Sequence, residues 1–221
     1  MDVKLPRRPH LIGPDRFGLL LATVLASFIV TPLVQEAEYG GLVLGVQSAL
    51  IMVLALTSSG VQPRLVVVGA IVATVAALLL ASEALVTDGP AAAWASGTVT
   101  AMLALTPVLV LRRVLSARKV TISSVAGTLS AYLLVGMTFG SLYRTISVVD
   151  ADAFNQPLGT AANYFSFVTL TTLGFGDILA ESDLTRSLVT LEAVLGQVLL
   201  VTLVARSVST LGQDWGRGQH R

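Results

Sequence analysis

The 221-residue chain is 54% hydrophobic and only 12% charged, with a mean hydropathy of +0.80. Soluble domains carry about 25% charged residues, so this composition excludes an ordinary water-facing surface and points to a bilayer. With no cysteine, disulfides and thiolate metal or redox chemistry are excluded. The two histidines, His10 and His220, lie near opposite ends, and no nucleophile–base or metal constellation of the kind an enzyme needs is present. No organic cofactor and no nucleic-acid partner are expected.

An apolar helix needs about 20 residues to cross the hydrocarbon core. Segments at about 17–34, 41–57, 65–86, 92–111, 124–147 and 186–209 qualify, which predicts an all-α membrane protein with six transmembrane helices. The first follows Lys4, Arg7 and Arg8 and runs from Phe17 to Val34. That run exceeds the roughly 7–15 apolar residues of a secretory signal, so it is expected to remain as a membrane helix. The next segments carry small residues four apart, at Gly41 and Gly45, Gly69 and Ala73, and Ala93 and Gly97. This spacing puts them on one face and lets helices approach closely. Pro32 and Pro107 are placed to kink the first and fourth helices.

The fourth segment has no basic residue between Ala92 and Leu111; Arg112 and Arg113 come only at its end. Each charge moved through the membrane field yields about 2.3 kcal/mol per 100 mV, so steep voltage sensing needs several arginines within the helix. Steep voltage dependence is therefore not expected. The stretch from Arg112 to Ser124, with two basic pairs, is expected to link the fourth and fifth helices along the inner interface.

After the fifth segment comes a semi-apolar stretch at about 157–171, too short to span a bilayer. A glycine-bearing run follows it, and then the sixth helix. This order predicts a re-entrant loop, since non-helical backbone at membrane depth is tolerated only when buried in protein or lining water. With both ends cytoplasmic, all but Arg144 and Arg186 of the 14 basic residues fall inside, as the positive-inside rule requires. The expected location is the plasma (cytoplasmic) membrane, spanned several times.

The glycine-bearing run reads Thr171-Thr172-Leu173-Gly174-Phe175-Gly176-Asp177. Gly174 and Gly176 alternate, which permits backbone angles that residues with a Cβ resist. From Thr172 to Asp177 the run resembles the potassium-channel signature Thr-x-Gly-(Tyr or Phe)-Gly-Asp, and the match is complete. The resemblance covers about residues 124–210, the pore module; the first four helices resemble the general six-helix plan only.

The resemblance implies a homotetramer, with a strand from each chain forming a selectivity filter around one axis. Thr172 would offer hydroxyl and carbonyl oxygens as the innermost site, and Leu173, Gly174 and Phe175 carbonyls, with Gly176 closing the filter. Potassium is then the permeant ion and the metal held by Thr172 to Phe175; carbonyl filters of this kind are well described. Asp177 would form an acidic ring at the outer mouth. The preceding short helix would aim the negative end of its dipole at the pore centre. It carries Tyr164, Phe165 and Phe167, expected as a cuff behind the filter, together with Val168, Thr169 and Thr171. Some family members place a glutamate at the position of Val168, so any pairing of that residue with Asp177 is absent here.

Gly196 lies where resembling channels have a hinge glycine, and Leu200, Val204 and Val208 would then line the cavity and inner gate. Gly196 also reads as a close-packing position. Glu192, an acid well inside a membrane segment, is a functional candidate by default; it is expected to face the short helix near Thr169 or Thr171, as a structural hydrogen-bond partner or a sensor. The chain divides into a four-helix region (1–119), a pore module (120–212) and a short cytoplasmic tail (213–221), with the gating stimulus and any regulatory partner left open. The rival readings are a non-selective cation channel, which usually carries an altered filter, and a secondary cation transporter or membrane assembly subunit, for which only Glu192 speaks.

Overall fold

The computed structural model describes residues 16–34, 37, 40–62, 64, 66–72, 74–75, 90–116 and 121–218. The basic cluster Lys4, Arg7 and Arg8, most of the predicted third helix beyond Val75, and the centre of the Arg112–Ser124 stretch lie outside the described residues.

Helices make up most of the described residues, with no strand among them; the one β-type contact there is an isolated bridge between Phe154 and Ala180. In chain order the helices are α1 (Phe17–Val34), α2 (Gly40–Ser58), α3 (Pro90–Ser116), α4 (Ile122–Val149), α5 (Ala162–Leu170) and α6 (Asp183–Gly218). A further helical stretch covers residues 66–72. Among the described residues, three helical spans are long and apolar enough to cross a membrane: Phe17–Val34, Ile122–Val149 and Asp183–Ala205.

The expected interfacial linking helix takes a different form. Residues 112–116 continue α3, and α4 starts at Ile122. A local cap explains that start: Thr121 and Ser124 bond each other's backbone in a reciprocal capping box, satisfying two N–H groups that a helix start otherwise leaves bare. At the other end of the apolar run, Asp150 closes α4 through its N–H to the Ile146 carbonyl at 2.8 Å.

Packing then sets the position of α5. One core joins Phe17, Leu20 and Val24 of α1 to Val110 and Val114 of α3 and to Ala131 and Leu134 of α4. A second joins Phe139 and Tyr143 of α4 to Phe154 and Leu158 of the following loop and Phe165 of α5. Tyr143 is fully buried, and its ring makes edge contacts with Phe154 at 5.8 Å and Phe165 at 5.2 Å. Edge-to-face pairs of this kind add about 0.5–1.5 kcal/mol beyond burial. They fix the loop and α5 against α4.

Candidate functional site

Three glycines let α5 lie close to its neighbours. A Cβ on Gly136 would come within 2.6 Å of Phe167, and one on Gly140 within 2.9 Å of the Asn163 Cα. Both glycines sit on α4, four residues apart, on the face that receives α5. On the other side, a Cβ on Gly196 of α6 would meet the Leu170 carbonyl oxygen at 2.5 Å. Small residues at helix contacts allow backbones to approach in this way. Gly196 is thus a close-packing position at the C-terminal end of α5.

That end of α5 is closed by its own backbone. The Thr172 N–H donates to the Thr169 carbonyl and the Leu173 N–H to the Val168 carbonyl, both at 2.9 Å. With Thr172 at φ 59°, this is the Schellman arrangement, in which a left-handed residue follows the helix cap. Glycine usually fills that position; here a β-branched threonine does, a rare conformation for such a residue. The Thr171 hydroxyl donates back to the Phe167 carbonyl at 2.6 Å.

The left-handed conformation recurs beyond the cap. Gly174 has φ 57° and Gly176 φ 78°, while Leu173 and Phe175 are not left-handed. The run therefore alternates in hand at residues 172, 174 and 176. All of its residues from Thr171 to Asp177 are exposed on the single chain, Leu173 at 62% and Phe175 at 66%.

The aromatic residues of α5 point three ways. Phe165 lies in the buried cluster with Tyr143 and Phe154, and Phe167 meets Phe28 of α1 edge-on at 4.8 Å. Only Tyr164 reaches the glycine-bearing run, where its ring stacks on Phe175 with centroids 6.4 Å apart and planes 3° from parallel. A side-chain hydrogen bond to Asp177 holds the Tyr164 phenol above its usual range. Val168 is buried, and Thr169 is half-buried.

A loop residue fixes the far side of the run. The Asn155 side chain donates to the Asp177 carbonyl at 3.3 Å and accepts from the Leu179 N–H at 2.9 Å. Its backbone N–H reaches the Leu179 carbonyl at 3.0 Å. Ala153 adds a second fastening, its carbonyl accepting from the Glu181 N–H at 2.9 Å and the Thr185 hydroxyl at 3.0 Å. Asn155 escaped the sequence reading because an asparagine in a polar loop carries no periodic signal.

Glu192 is fully buried and does face α5, but one turn earlier than expected. Its carboxyl meets the hydroxyls of Ser166 and of Tyr143, the latter at 2.8 Å. Further along α6, Leu200, Val204 and Val208 are exposed on the single chain. Gly136, Gly140, Tyr143 and Ser166 also went unread. The spacing of the two glycines on α4 was the signal available for them.

Two membrane-long helices, α4 and α6, thus enclose a short helix that ends in an exposed run of alternating backbone hand. Both helices are long and apolar enough to cross a membrane, as a membrane protein requires, and the short helix lies between them in the chain. Residues 127–213 match a family model described as an ion channel. No curated protein matches the chain, and no solved structure does.

Proposed function

We propose that the chain is one subunit of a homotetrameric, potassium-selective channel in the plasma membrane, with Thr172 to Gly176 as its filter. The observation that carries this is the alternation of backbone hand at Thr172, Gly174 and Gly176, directly after a short helix. Neighbouring residues of opposite hand turn successive peptide planes the same way, leaving N–H groups on one side and carbonyls on the other. A ribbon of this kind offers a row of carbonyl oxygens, and four ribbons around an axis can replace the hydration shell of a potassium ion.

The exposure of the run fits a part awaiting copies of itself. Leu173 and Phe175 are large, apolar and more than half exposed. Neighbouring subunits would cover them, and Leu200, Val204 and Val208 would line the shared cavity. Asp177 lies at the outer mouth in this reading, with both termini cytoplasmic and the membrane crossed six times. Residues 1–119 are the four-helix transmembrane region in this reading, 120–212 the pore module and 213–221 the tail. With no basic residue from Ala92 to Leu111, the conductance depends only shallowly on voltage.

The test is the reversal potential of the purified chain in a planar bilayer with potassium on one side and sodium on the other. A value at the potassium equilibrium potential supports the proposal. A value near zero with clear single-channel steps replaces it with a non-selective cation channel. Saturating flux without unitary steps replaces it with a transporter.

A further inference from the structure

Ser166 stands between two oxygens that both require a proton from it. Its hydroxyl lies 2.7 Å from the Gly136 carbonyl oxygen and within hydrogen-bond reach of Glu192 Oε1. A serine hydroxyl has one proton to donate. A carbonyl has none, and neither has an ionised carboxylate. With Glu192 charged, one of the two contacts becomes a pair of oxygen lone pairs facing each other without a hydrogen between them.

A proton on Glu192 removes the conflict. Glu192 Oε1 then donates to Ser166, Ser166 donates to the Gly136 carbonyl, and Tyr143 donates to Glu192 Oε2 at 2.8 Å. Every donor has one acceptor, and the chain of bonds runs from α6 through α5 to α4. The surroundings favour the same state. Glu192 is fully buried, and among the described residues the side chains bonded to it are the two hydroxyls, with no basic group. A buried charge without a partner of opposite sign is costly. The other titratable groups facing it are the phenols of Tyr143 and Tyr132 on α4, which are uncharged at neutral pH.

We propose that Glu192 is carried as a neutral carboxylic acid that donates to Ser166, and that it is the positioning residue tying α6 to α5 and α4 behind the filter segment. Its place supports that role. Glu192 and Gly196 are one turn apart on α6, and they meet Ser166 and Leu170, one turn apart on α5. The side-chain tie and the close backbone contact are successive rungs of one interface. The proposal rests on the chain's own hydrogen bonds and holds whichever ion the pore conducts.

Infrared spectroscopy of the full chain in lipid vesicles at neutral pH tests it. The wild type is expected to show the carbonyl stretch of a protonated carboxylic acid, and Glu192→Gln to lack it. Ser166→Ala, which removes the acceptor, is expected to keep the band and shift its frequency. Absence of the band in the wild type overturns the proposal, as does its survival in Glu192→Gln. An unshifted band in Ser166→Ala overturns the donation to Ser166. Should Glu192→Gln fail to fold, the wild-type band and its response to Ser166→Ala decide the matter. A reversal potential far from potassium with this band intact would sink the filter reading and leave the acid in place.

Discussion

Gly196 of α6 sits so close to Leu170 of α5 that a Cβ at this position would lie 2.5 Å from the Leu170 carbonyl oxygen and 2.9 Å from its Cδ1. The oxygen is backbone, held at the end of a short helix that also receives the Tyr132 hydroxyl at 3.4 Å. The contact therefore has little room to give.

Gly196→Ala is expected to destabilise the folded chain by about 1–3 kcal/mol, the usual cost of overpacking. Gly18→Ala is the control. Nothing lies within 4 Å of a Cβ there, and glycine inside a helix costs about 0.5–1 kcal/mol relative to alanine. Thermal unfolding in detergent should move down for the first variant and stay level or rise for the second. A Gly196→Ala protein as stable as the wild type would mean that α5 and α6 are not in contact as described.

The glycines of the exposed run make a different demand. A Cβ at Gly174 or Gly176 meets nothing within 4 Å, yet both residues have positive φ. The obstacle is backbone conformation, about 1–2 kcal/mol per left-handed residue with a side chain. Gly174→Ala and Gly176→Ala should therefore leave assembly by native mass unchanged while shifting the reversal potential toward zero. Loss of the assembly itself would contradict this separation.

Asn155 offers two hydrogen bonds to the segment after the run, one as donor and one as acceptor. Asn155→Ala loses both, whereas Asn155→Asp keeps the bond from the Leu179 N–H. Each neutral bond contributes about 0.5–1.5 kcal/mol. Hydrogen exchange at the Leu179 amide should be clearly faster in the alanine variant and close to wild type in the aspartate variant.

Tyr164 supplies a pH readout. Its phenol is held above the usual range chiefly by the hydrogen bond to Asp177. For a group whose folded value is raised, the associated stability is present below the unfolded value, about 10 for tyrosine. It is lost as pH rises through the folded value. Alkaline titration of the Tyr164 absorbance should shift downward in Asp177→Ala, and the Tyr164–Phe175 stack should loosen only at strongly alkaline pH in the wild type. Identical titration in both proteins would refute the bond.

The apolar runs of this chain announced its long helices closely. Sequence reading expected helices at about 41–57 and 124–147, and α2 and α4 span Gly40–Ser58 and Ile122–Val149. Hydrophobic length is a one-dimensional property, so it survives without knowledge of packing. The partner of Glu192 was less legible. Rotating α5 by one turn exchanges Ser166 for the neighbourhood of Thr169 or Thr171, and only the Gly136, Gly140 and Gly196 contacts set that rotation. Thr172 hid its conformation for a similar reason. Its β-branched side chain argues against a left-handed backbone, and only the closure of α5 by Thr169 and Val168 requires one.

The contact between Phe28 and Phe167 bears on how the chain can be cut. Residues 121–218 hold α4, α5, α6 and the glycine-bearing run, which invites excision as a unit. Yet Phe167 meets an aromatic edge supplied by α1, and α4 shares its core with Phe17, Leu20 and Val24. Severing the chain before Thr121 would strip that edge away and leave lipid to fill a notch shaped for a ring. The amino-terminal helix is in this sense a buttress, and the minimal portable unit begins at α1.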